Sequence, residues 1–306
     1  MKKGIAYCVF LAAVSGCRIL ETGYGDDNAA VRAAADAVSE TTTAAKSALV
    51  WTGGNALSFA DDLSGEKHEA FILAGEHAAA AYRGGILPDG YVPFTSSEVQ
   101  SLSLPSGRFS YDESTGFLEV TDGSGFAARL SRRGGERVVA FRGSNAPGED
   151  EHWMQDWVAD AKQGGGATPT QYVDGADVLA RVRRAFPGDR ITTVGHSLGG
   201  GIAAYAMIVS EKLENVQCAT FNAAGISAVT LMAMPADAVG RAGEKISNIR
   251  SKGDPVSAIP GTSLVGKIYE VDNLRFANHA IGGLLTDMRR RAQGRRAGWL
   301  RDLFDE

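Results

Sequence analysis

Apolar and polar residues alternate regularly in the second part of the chain, from about residue 116 onwards. Short apolar runs rich in β-branched residues are typical of buried strands, and here they alternate with longer segments of helical periodicity. The strand-like runs are GFLEV, FAARL, RVVAF, ITTVG, VQCATF, KISNIR and KIYEV, and the helical segments include DGADVLARVRRAF and GGGIAAYAMIVSEKL. Glycine-rich turns join the first strands as hairpins, whereas helices separate the later ones. This order predicts an α/β fold with a mostly parallel central sheet and helices on both faces.

The pattern in the first part of the chain is weaker. Residues 66–83 carry apolar side chains at helical spacing, and the turn-forming GGILPDG ends this predicted helix. The stretch 86–114 is loop-rich. Residues 17–65 are rich in Ala, Ser, Thr, Gly and Asp and lack the large apolar side chains that an independent core needs. We therefore expect 17–65 to be a tether with helical stretches.

The first residues, MKKGIAYCVFLAAVSGC, combine two lysines with a short apolar stretch from Ile5 to Val14. This stretch is far shorter than the roughly 20 residues that span a bilayer, so it predicts a secretory signal. Its end, VSGC, resembles the bacterial lipobox, which implies cleavage before Cys17 and acyl chains on that cysteine as a firm membrane anchor. An ordinary cleaved signal and an apolar first helix are the alternatives. We therefore expect an exported, membrane-anchored lipoprotein, and Arg18 places it at the outer membrane if the host is Gram-negative.

These observations divide the chain into four segments. Residues 1–16 form the signal, 17–65 the tether, 66–288 the main α/β domain, and 289–306 an Arg-rich amphipathic C-terminal segment. The last segment, which includes RRRAQGRRAGWLRDLF, either lies on anionic phospholipid or packs on the domain with its arginines in water.

Length, charge and cysteine content narrow the function classes. The 306 residues suffice for one large α/β domain with a substantial core. A formal net charge of −5 argues against nucleic acid as the main partner. Cys8 lies in the signal and Cys17 at its cleavage site, so only Cys218 in VQCATF is left and a disulfide framework is excluded. We expect Cys218 to be a packing residue.

One serine stands between glycines where the strand-like ITTVG meets the alanine-rich helix. The segment Gly195-His196-Ser197-Leu198-Gly199 fits the pattern G-x-S-x-G at a strand-to-helix turn, the context in which this pattern marks a nucleophile. A nucleophile on such a sharp turn has its hydroxyl clear of the sheet, and Gly195 and Gly199 avoid the clashes that side chains would cause. We predict that Ser197 is a nucleophile. The side chain of His196 cannot reach its neighbour's hydroxyl, so we assign it to packing.

A serine nucleophile needs a histidine base and a carboxylate that orients the imidazole. Among the five histidines, only His279 follows both Ser197 and the candidate acid Asp254, as the order serine, acid, histidine requires. Asp254 comes shortly after the strand-like KISNIR, and a simple Asp-Pro turn is the alternative interpretation. The spacing of His68 and His77 fits no metal-binding pattern, so we expect no metal site.

Four stretches resemble, in the same order, the lipase class 3 family of α/β-hydrolases and its Mbeg1-like bacterial relatives. They are RVVAFRGSN followed by MQDWVADA, the serine segment GHSLG, the GDPV that follows KISNIR, and RFANHAIGGLL. The resemblance implies an α/β-hydrolase fold with Ser197, Asp254 and His279 as the catalytic triad. It also implies an oxyanion hole formed by the backbone N–H groups of Ser144 and Leu198.

The segment NAPGEDEHWMQDW follows the predicted oxyanion strand, at a position where class 3 lipases often carry a lid. Its Trp153 and Met154 would then face lipid, although an ordinary surface loop fits this segment equally well. We expect Arg142 to be a structural ion-pairing residue, and Trp157 and Asp160 to support the oxyanion loop.

The sequence thus predicts a serine carboxylic-ester hydrolase that acts on lipid acyl esters through an acyl-enzyme, as a triacylglycerol lipase or a phospholipase A. This chemistry requires no metal and no organic cofactor. A short-chain, feruloyl or polyester esterase, or an acyltransferase, on the same triad is the main alternative, and a non-catalytic lipid-binding lipoprotein is a further one. The expected partners are a lipid or small acyl-ester substrate and a membrane, and the pattern leaves the oligomeric state open.

Overall fold

A mixed β-sheet runs through the part of the chain that the computed structural model describes, residues 56–144, 168–272 and 279–304. The strands of these residues are β1 (Leu57–Ser58), β2 (Val92–Pro93), β3 (Phe109–Asp112), β4 (Phe117–Val120), β5 (Ala127–Arg133), β6 (Glu136–Phe141), β7 (Arg190–His196), β8 (Val216–Phe221), β9 (Ile226–Ser227), β10 (Ile246–Ser251), β11 (Thr262–Ser263) and β12 (Lys267–Val271). The sheet has the order β1-β12-β10-β8-β7-β6-β5-β4-β3, with β2 paired to β5, while β9 and β11 form a separate antiparallel pair.

Strand direction divides this sheet into two halves. From β6 through β7, β8, β10 and β12 to β1, neighbouring strands are parallel. From β6 through β5 and β4 to β3, neighbours are antiparallel, as expected for strands joined by short glycine-rich turns. The helices are α1 (Gly65–Ala80), α2 (Ser96–Ser101), α3 (Thr170–Ala185), α4 (Leu198–Ile208), α5 (Ala228–Met232), α6 (Ala236–Gly243) and α7 (Ile281–Phe304).

Successive side chains of a strand point to opposite faces, so each central strand contributes to two cores. On β6, Val138 and Ala140 pack in the core that includes residues of α1 and α7, whereas Val139 and Phe141 pack in the core that includes residues of α3, α4 and α6. Each of the strand-like runs of the sequence forms a strand. The predicted α/β class is therefore confirmed, with a mostly parallel central sheet between helices.

The stretch 86–114, expected to be loop-rich, contains β2, α2 and β3. Helix α2 begins with a capping box in which Thr95 Oγ1 accepts a hydrogen bond from the Glu98 N–H at 3.2 Å. In return, the Glu98 carboxylate accepts a hydrogen bond from the Thr95 N–H at 2.8 Å. The sequence TSSE carries this signal for the start of a helix, so α2 was predictable from local chemistry.

Residues 56–64 pair with the sheet and pack in its core, whereas their composition predicts that they belong to the tether. Here β1 pairs in parallel with β12, and Phe59 and Leu63 are buried in the core that includes α1. A two-residue edge strand has no period that a sequence pattern can reveal. The signal 1–16, Cys17 and the rest of the tether lie outside the described residues.

Helix α7 runs without interruption across the predicted boundary between residues 288 and 289. Its N-terminal half packs through Leu284, Leu285 and Met288, which are buried against the α1 side of the sheet. Among the described helices, including α7, none combines the length and the apolar character needed to cross a lipid bilayer.

A buried arginine holds the end of α1 and the turn that follows it. Arg129 of β5 is 7% exposed and donates hydrogen bonds to the carbonyls of Ala80 at 2.8 Å, Gly85 at 2.7 Å and Thr115 at 2.7 Å. The last carbonyls of a helix have no N–H partner inside the helix, so a side chain must satisfy them when they are buried. Arg129 therefore fixes the position of the chain just after α1.

Arg129→Met tests this anchoring. We expect the substitution to lower the free energy of unfolding by about 3 kcal/mol, because it leaves carbonyl groups buried without a donor. Urea unfolding followed by circular dichroism measures this change. Arg83→Met is the matched control, since the Arg83 side chain is 74% exposed and its ion pair with Glu119 is a surface one. Its cost should stay below about 0.5 kcal/mol. Equal effects of the two substitutions would contradict the assignment.

Helix α1 also carries a buried histidine whose charged form is disfavoured. His77 Nδ1 lies 3.3 Å from Ser131 Oγ, and the ring stands edge-on to Tyr91 with 4.3 Å between the ring centroids. Burial, together with the nearby positive charge of Arg133, lowers the pKa of His77 to about 4. The imidazole is therefore neutral in the folded protein near pH 7.

The lowered pKa of His77 predicts a loss of stability in acid. Between the ordinary histidine pKa of 6.5 and the folded value of about 4, the unfolded chain binds a proton that the folded chain does not, so stability falls as the pH falls through this range. In His77→Gln this contribution is absent, and the acid-induced loss should be smaller by up to about 3 kcal/mol. Urea unfolding at neutral pH and below pH 4 measures the difference, and an unchanged pH dependence would contradict it.

Candidate active site

Ser197 forms the single-residue turn between β7 and α4. Its φ of 58° and ψ of −128° lie in a region that residues other than glycine rarely adopt. The end of β8 and the segment after it hold the turn in place. The Ser197 N–H donates to the Phe221 carbonyl at 3.1 Å, and the Ser197 carbonyl accepts from the Ala224 N–H at 2.9 Å. The predicted nucleophile therefore lies on a strained turn at the carboxyl end of β7.

The glycines on either side of Ser197 permit close backbone contacts. A Cβ at Gly195 would collide with the Gly199 carbonyl and would lie 2.6 Å from the Gly200 nitrogen. A Cβ at Gly199 would collide with the Phe141 carbonyl at the end of β6. The structure thus explains on steric grounds why the turn of residues 195–199, here called the elbow, begins and ends with glycine.

The predicted acid and base are in direct contact. His279 Nδ1 lies 2.8 Å from Asp254 Oδ1, and the Asp254 side chain is fully buried. The other carboxylate oxygen, Asp254 Oδ2, accepts a hydrogen bond from the Ser257 N–H at 2.7 Å. Because a carboxylate accepts, His279 donates through Nδ1, and its Nε2 is then the basic nitrogen.

The serine turn and the predicted base lie side by side. His196, the residue before Ser197, lies with its ring centroid 4.8 Å from that of His279. The Nε2 atom of His196 is 2.8 Å from the backbone carbonyl oxygen of His279. Segments after β7, β10 and β12 therefore meet at the carboxyl edge of the parallel half of the sheet, where α/β proteins hold their ligands.

The predicted oxyanion loop follows β6 and packs on the same elbow. A Cβ at Gly199 would lie 2.9 Å from the Gly143 nitrogen, which shows how closely this loop approaches the start of α4. Ser144 is half-buried here. A cavity of about 240 Å³ lies beside it, lined by Gly125, Arg142, Gly143, Ser144, Gln171, Leu198 and Ile202. The two predicted oxyanion donors thus line one cavity.

Arg142 is a structural ion-pairing residue, as predicted. Its Nη1 lies 2.8 Å from Glu119 Oε1, and its side chain is 9% exposed. The remaining predicted side chains of this region, Trp153, Met154, Trp157 and Asp160, lie outside the described residues.

The assignment of His196 to packing is incomplete. Besides its contact with the His279 carbonyl, its Nδ1 lies 2.7 Å from the hydroxyl oxygen of Tyr82, just after α1. Burial lowers the pKa of His196 to about 3, so the ring is neutral. Asn222, at the end of β8, also contacts the His279 carbonyl, through Nδ2 at 3.0 Å. Sequence reasoning missed Tyr82 and Asn222; only Asn222, a polar residue directly after a buried parallel strand, carried a signal.

Other candidate groups have structural roles. Cys218 is buried on β8, and burial raises the pKa of its thiol to about 12. His68 is buried with its Nε2 at 2.6 Å from the Phe59 carbonyl oxygen. Within the described ranges, no three His, Cys, Asp or Glu side chains are grouped as metal ligands would be.

The sequence model of a known family matches this chain over residues 74–302, which include the elbow, Asp254 and His279. The family is described as phospholipase-like, with a Tle-like phospholipase domain. The chain belongs to this family. The family description is that of a phospholipase-type enzyme. The narrower resemblance to class 3 lipases stays a prediction.

Relatives of this Tle-like phospholipase domain include an extracellular phospholipase A1 from Serratia liquefaciens, 37% identical over 109 residues. The match covers 36% of this chain and 30% of the length of that relative. Among solved structures, the Lip2 lipase from Yarrowia lipolytica matches with a TM-score of 0.44 and 14% identity, covering 74% of this chain and 91% of that chain. The Rhizomucor miehei lipase propeptide complex matches with a TM-score of 0.42 and 14% identity, covering 73% and 78%, respectively.

Gly199→Ala tests the close packing of the predicted oxyanion loop on the elbow of this Tle-like phospholipase domain. The added methyl group should force β6 and its loop away from α4, lowering the free energy of unfolding by about 2 kcal/mol and the hydrolysis rate by about a hundredfold. Urea unfolding and hydrolysis of a soluble ester, per mole of folded protein, measure the two effects.

Gly240→Ala is the matched control, because a Cβ at Gly240 in α6 would meet no atom within 4 Å. Its activity should equal that of the wild type, and its stability should rise slightly. If Gly199→Ala behaved like this control, the proposed close approach would be wrong.

Proposed function

We propose that this Tle-like phospholipase domain is a serine carboxylic-ester hydrolase that cleaves acyl esters of glycerophospholipids with Ser197, His279 and Asp254. The observation that carries the proposal is the 2.8 Å contact between His279 Nδ1 and the buried Asp254, next to the strained turn of Ser197. A serine on such a turn, an imidazole and an orienting carboxylate are the three groups that acyl transfer through an acyl-enzyme needs.

The reaction follows from these positions. His279 Nε2 takes the hydroxyl proton while Ser197 Oγ attacks the acyl carbonyl carbon, and a tetrahedral intermediate forms. Asp254 stabilises the resulting imidazolium through Nδ1. The bond to the leaving alcohol breaks as His279 delivers its proton to that oxygen, which leaves an acyl group on Ser197. Water then attacks the acyl-enzyme while His279 takes its proton. The bond between the acyl carbon and Ser197 Oγ breaks as His279 returns that proton to Oγ, and the fatty acid is released.

The oxyanion of the intermediate is bound by two backbone N–H groups, those of Ser144 and Leu198. Support comes from the cavity that both residues line, and from the packing of the β6 loop on the elbow. The start of α4 adds the positive end of a helix dipole to this position. Such donors lower the barrier because they meet the negative charge only as it develops, and loss of one typically costs about 3 kcal/mol.

Phospholipid is favoured over triacylglycerol as the substrate. The family is named for phospholipases, and the Serratia liquefaciens relative is described as a phospholipase A1. The cavity beside Ser144 combines the apolar side chains of Leu198 and Ile202 with the polar ones of Arg142 and Gln171. An ester that joins an acyl chain to a polar alcohol suits such a mixed lining.

Export and membrane anchoring complete the proposal. The N-terminal signal with its lipobox-like end at Cys17 predicts an exported, lipid-anchored protein, and the Serratia liquefaciens relative is described as extracellular. An anchored enzyme of this kind would meet its substrate at a membrane surface.

Ser197→Ala in the purified full chain tests the proposed chemistry. Wild-type protein should release fatty acid and lysophospholipid from vesicles of palmitoyl-oleoyl phosphatidylglycerol, and the variant should be slower by at least about a thousandfold, because it lacks the nucleophile. Mass spectrometry of the extracted lipids measures both products, and the choice of palmitate or oleate identifies the ester that is cleaved.

Gly240→Ala is the folding-matched active control for this comparison. Triolein emulsions and short-chain nitrophenyl esters, assayed in parallel, separate the alternatives: a strong preference for short chains without lysophospholipid would support the esterase alternative. Equal activity of wild type and Ser197→Ala would refute the assigned nucleophile.

A further inference from the structure

The hydroxyl group of Tyr82 joins the oxyanion loop to the elbow. Its oxygen lies 2.7 Å from His196 Nδ1 and packs closely against the backbone of Gly143, directly before Ser144. A Cβ at Gly143 would collide with this hydroxyl and would lie 2.7 Å from the His196 carbonyl oxygen. The Tyr82 hydroxyl and the His196 carbonyl therefore both lie against Gly143, where only a residue without a side chain leaves enough room.

The chemistry of Tyr82, His196 and the His279 carbonyl fixes the direction of the two hydrogen bonds between them. The His279 carbonyl can only accept, so the nitrogen facing it, His196 Nε2, carries a proton. The ring is neutral because burial lowers its pKa to about 3, so Nδ1 has no proton and accepts from the Tyr82 hydroxyl. Both donors of this hydrogen-bond series, the Tyr82 hydroxyl and His196 Nε2, therefore point towards His279, while the Tyr82 oxygen packs on the Gly143 backbone.

A second buried side chain, that of Asn222, also holds the His279 carbonyl at the end of this hydrogen-bond series. Asn222 donates through Nδ2 to the same His279 carbonyl at 3.0 Å, and its Oδ1 accepts from the Ser251 N–H at 2.7 Å. Asn222 is fully buried and has a positive φ of 42°, a conformation that its surroundings must impose. The backbone of His279 is thus tied both to the oxyanion loop and to the end of β10, which leads to Asp254.

We propose that Tyr82 and His196 are positioning residues that hold the oxyanion loop and the His279 backbone at a fixed separation. This inference rests on the proposed function, because it assigns their task relative to the Ser197 reaction. The His196 ring packs beside the His279 ring, but its two nitrogens face Tyr82 and the His279 carbonyl and take no part in the proton transfer. The two side chains act through Gly143 on one side and through the His279 carbonyl on the other.

If Tyr82 and His196 only filled space, the shapes of their rings would suffice. Both ring nitrogens of His196 and the hydroxyl of Tyr82 are, however, within hydrogen-bonding distance of specific partners. Buried hydrogen bonds in series strengthen one another, and removal of one member leaves its neighbours unsatisfied. Loss of the Tyr82 hydroxyl leaves His196 Nδ1 without its donor and removes the contact against which the Gly143 backbone packs, so we expect Gly143 and the N–H of Ser144 to shift.

Tyr82→Phe keeps the ring and removes the hydroxyl. With a soluble nitrophenyl butyrate substrate, we expect kcat to fall by about tenfold to a hundredfold while KM changes less than about twofold, because substrate contacts remain and transition-state contacts move. Tyr111→Phe is the matched control: its hydroxyl also donates to a buried carbonyl, that of Phe94, but far from the elbow. It should lose stability without a change in kcat.

His196 provides a test by rescue. Gln keeps an N–H donor for the His279 carbonyl, whereas Phe keeps only the bulk of the ring. His196→Gln should therefore retain most of kcat, and His196→Phe should lose about as much as Tyr82→Phe. Equal kcat for Tyr82→Phe and wild type, or equal losses in Tyr82→Phe and Tyr111→Phe, would overturn the positioning role.

Ser197→Ala, measured in the same series, separates this inference from the proposed function. Equal activity of Ser197→Ala and wild type would refute Ser197 as the nucleophile, whereas the positioning role is decided by the Tyr82 and His196 variants. Nitrogen-15 NMR of the histidine rings tests the hydrogen-bond chain without any turnover. His196 should be neutral with its proton on Nε2 between about pH 5 and 8, and Tyr82→Phe should shift its Nδ1 resonance. A doubly protonated His196 in this range would overturn the proposal.

Discussion

The backbone of Ser197 is held in a conformation that costs a non-glycine residue about 1–3 kcal/mol. Such strain persists only where the surroundings fix the chain on every side. Here the N–H of Ser197 bonds to the end of β8, its carbonyl bonds to the segment after β8, and glycines before and after it allow β6 and α4 to approach closely. The strained turn therefore determines how near the proposed oxyanion loop, the elbow and the neighbouring strands must lie.

The parallel half of the sheet explains why distant segments can meet at this turn. Parallel strands end at the same edge, so the segments after β6, β7, β8 and β10 converge although they are far apart in sequence. The polar side chains buried at this edge satisfy one another: Asp254 holds His279 from one side, while His196 and Asn222 hold its backbone carbonyl from the other. An imidazole fixed at both its ring and its backbone has little freedom to leave the position that the proposed proton transfer needs.

The sequence predicted those parts of the molecule whose signals are local. Apolar runs located β7 and β8, and the glycines of the elbow and the Asp-Pro segment located Ser197 and Asp254 as candidate groups. The network beneath them was not predictable in this way. A sequence shows only that His196 cannot reach the hydroxyl of its neighbour Ser197, whereas its partners, Tyr82 and the His279 carbonyl, lie 114 and 83 positions away. Tyr82 fits the apolar positions of the predicted helix, and its hydroxyl carries no signal before its partner is known.

Covalent labelling tests the central claim most directly, because it reports the nucleophile itself. When the purified full chain reacts with a fluorophosphonate and is digested, mass spectrometry should find the phosphonyl adduct on the peptide that contains Ser197, with no adduct at this position after replacement of His279 by Ala. An adduct on a different serine, or no adduct on an otherwise folded protein, would contradict the assignment of Ser197 as the nucleophile of this Tle-like phospholipase domain.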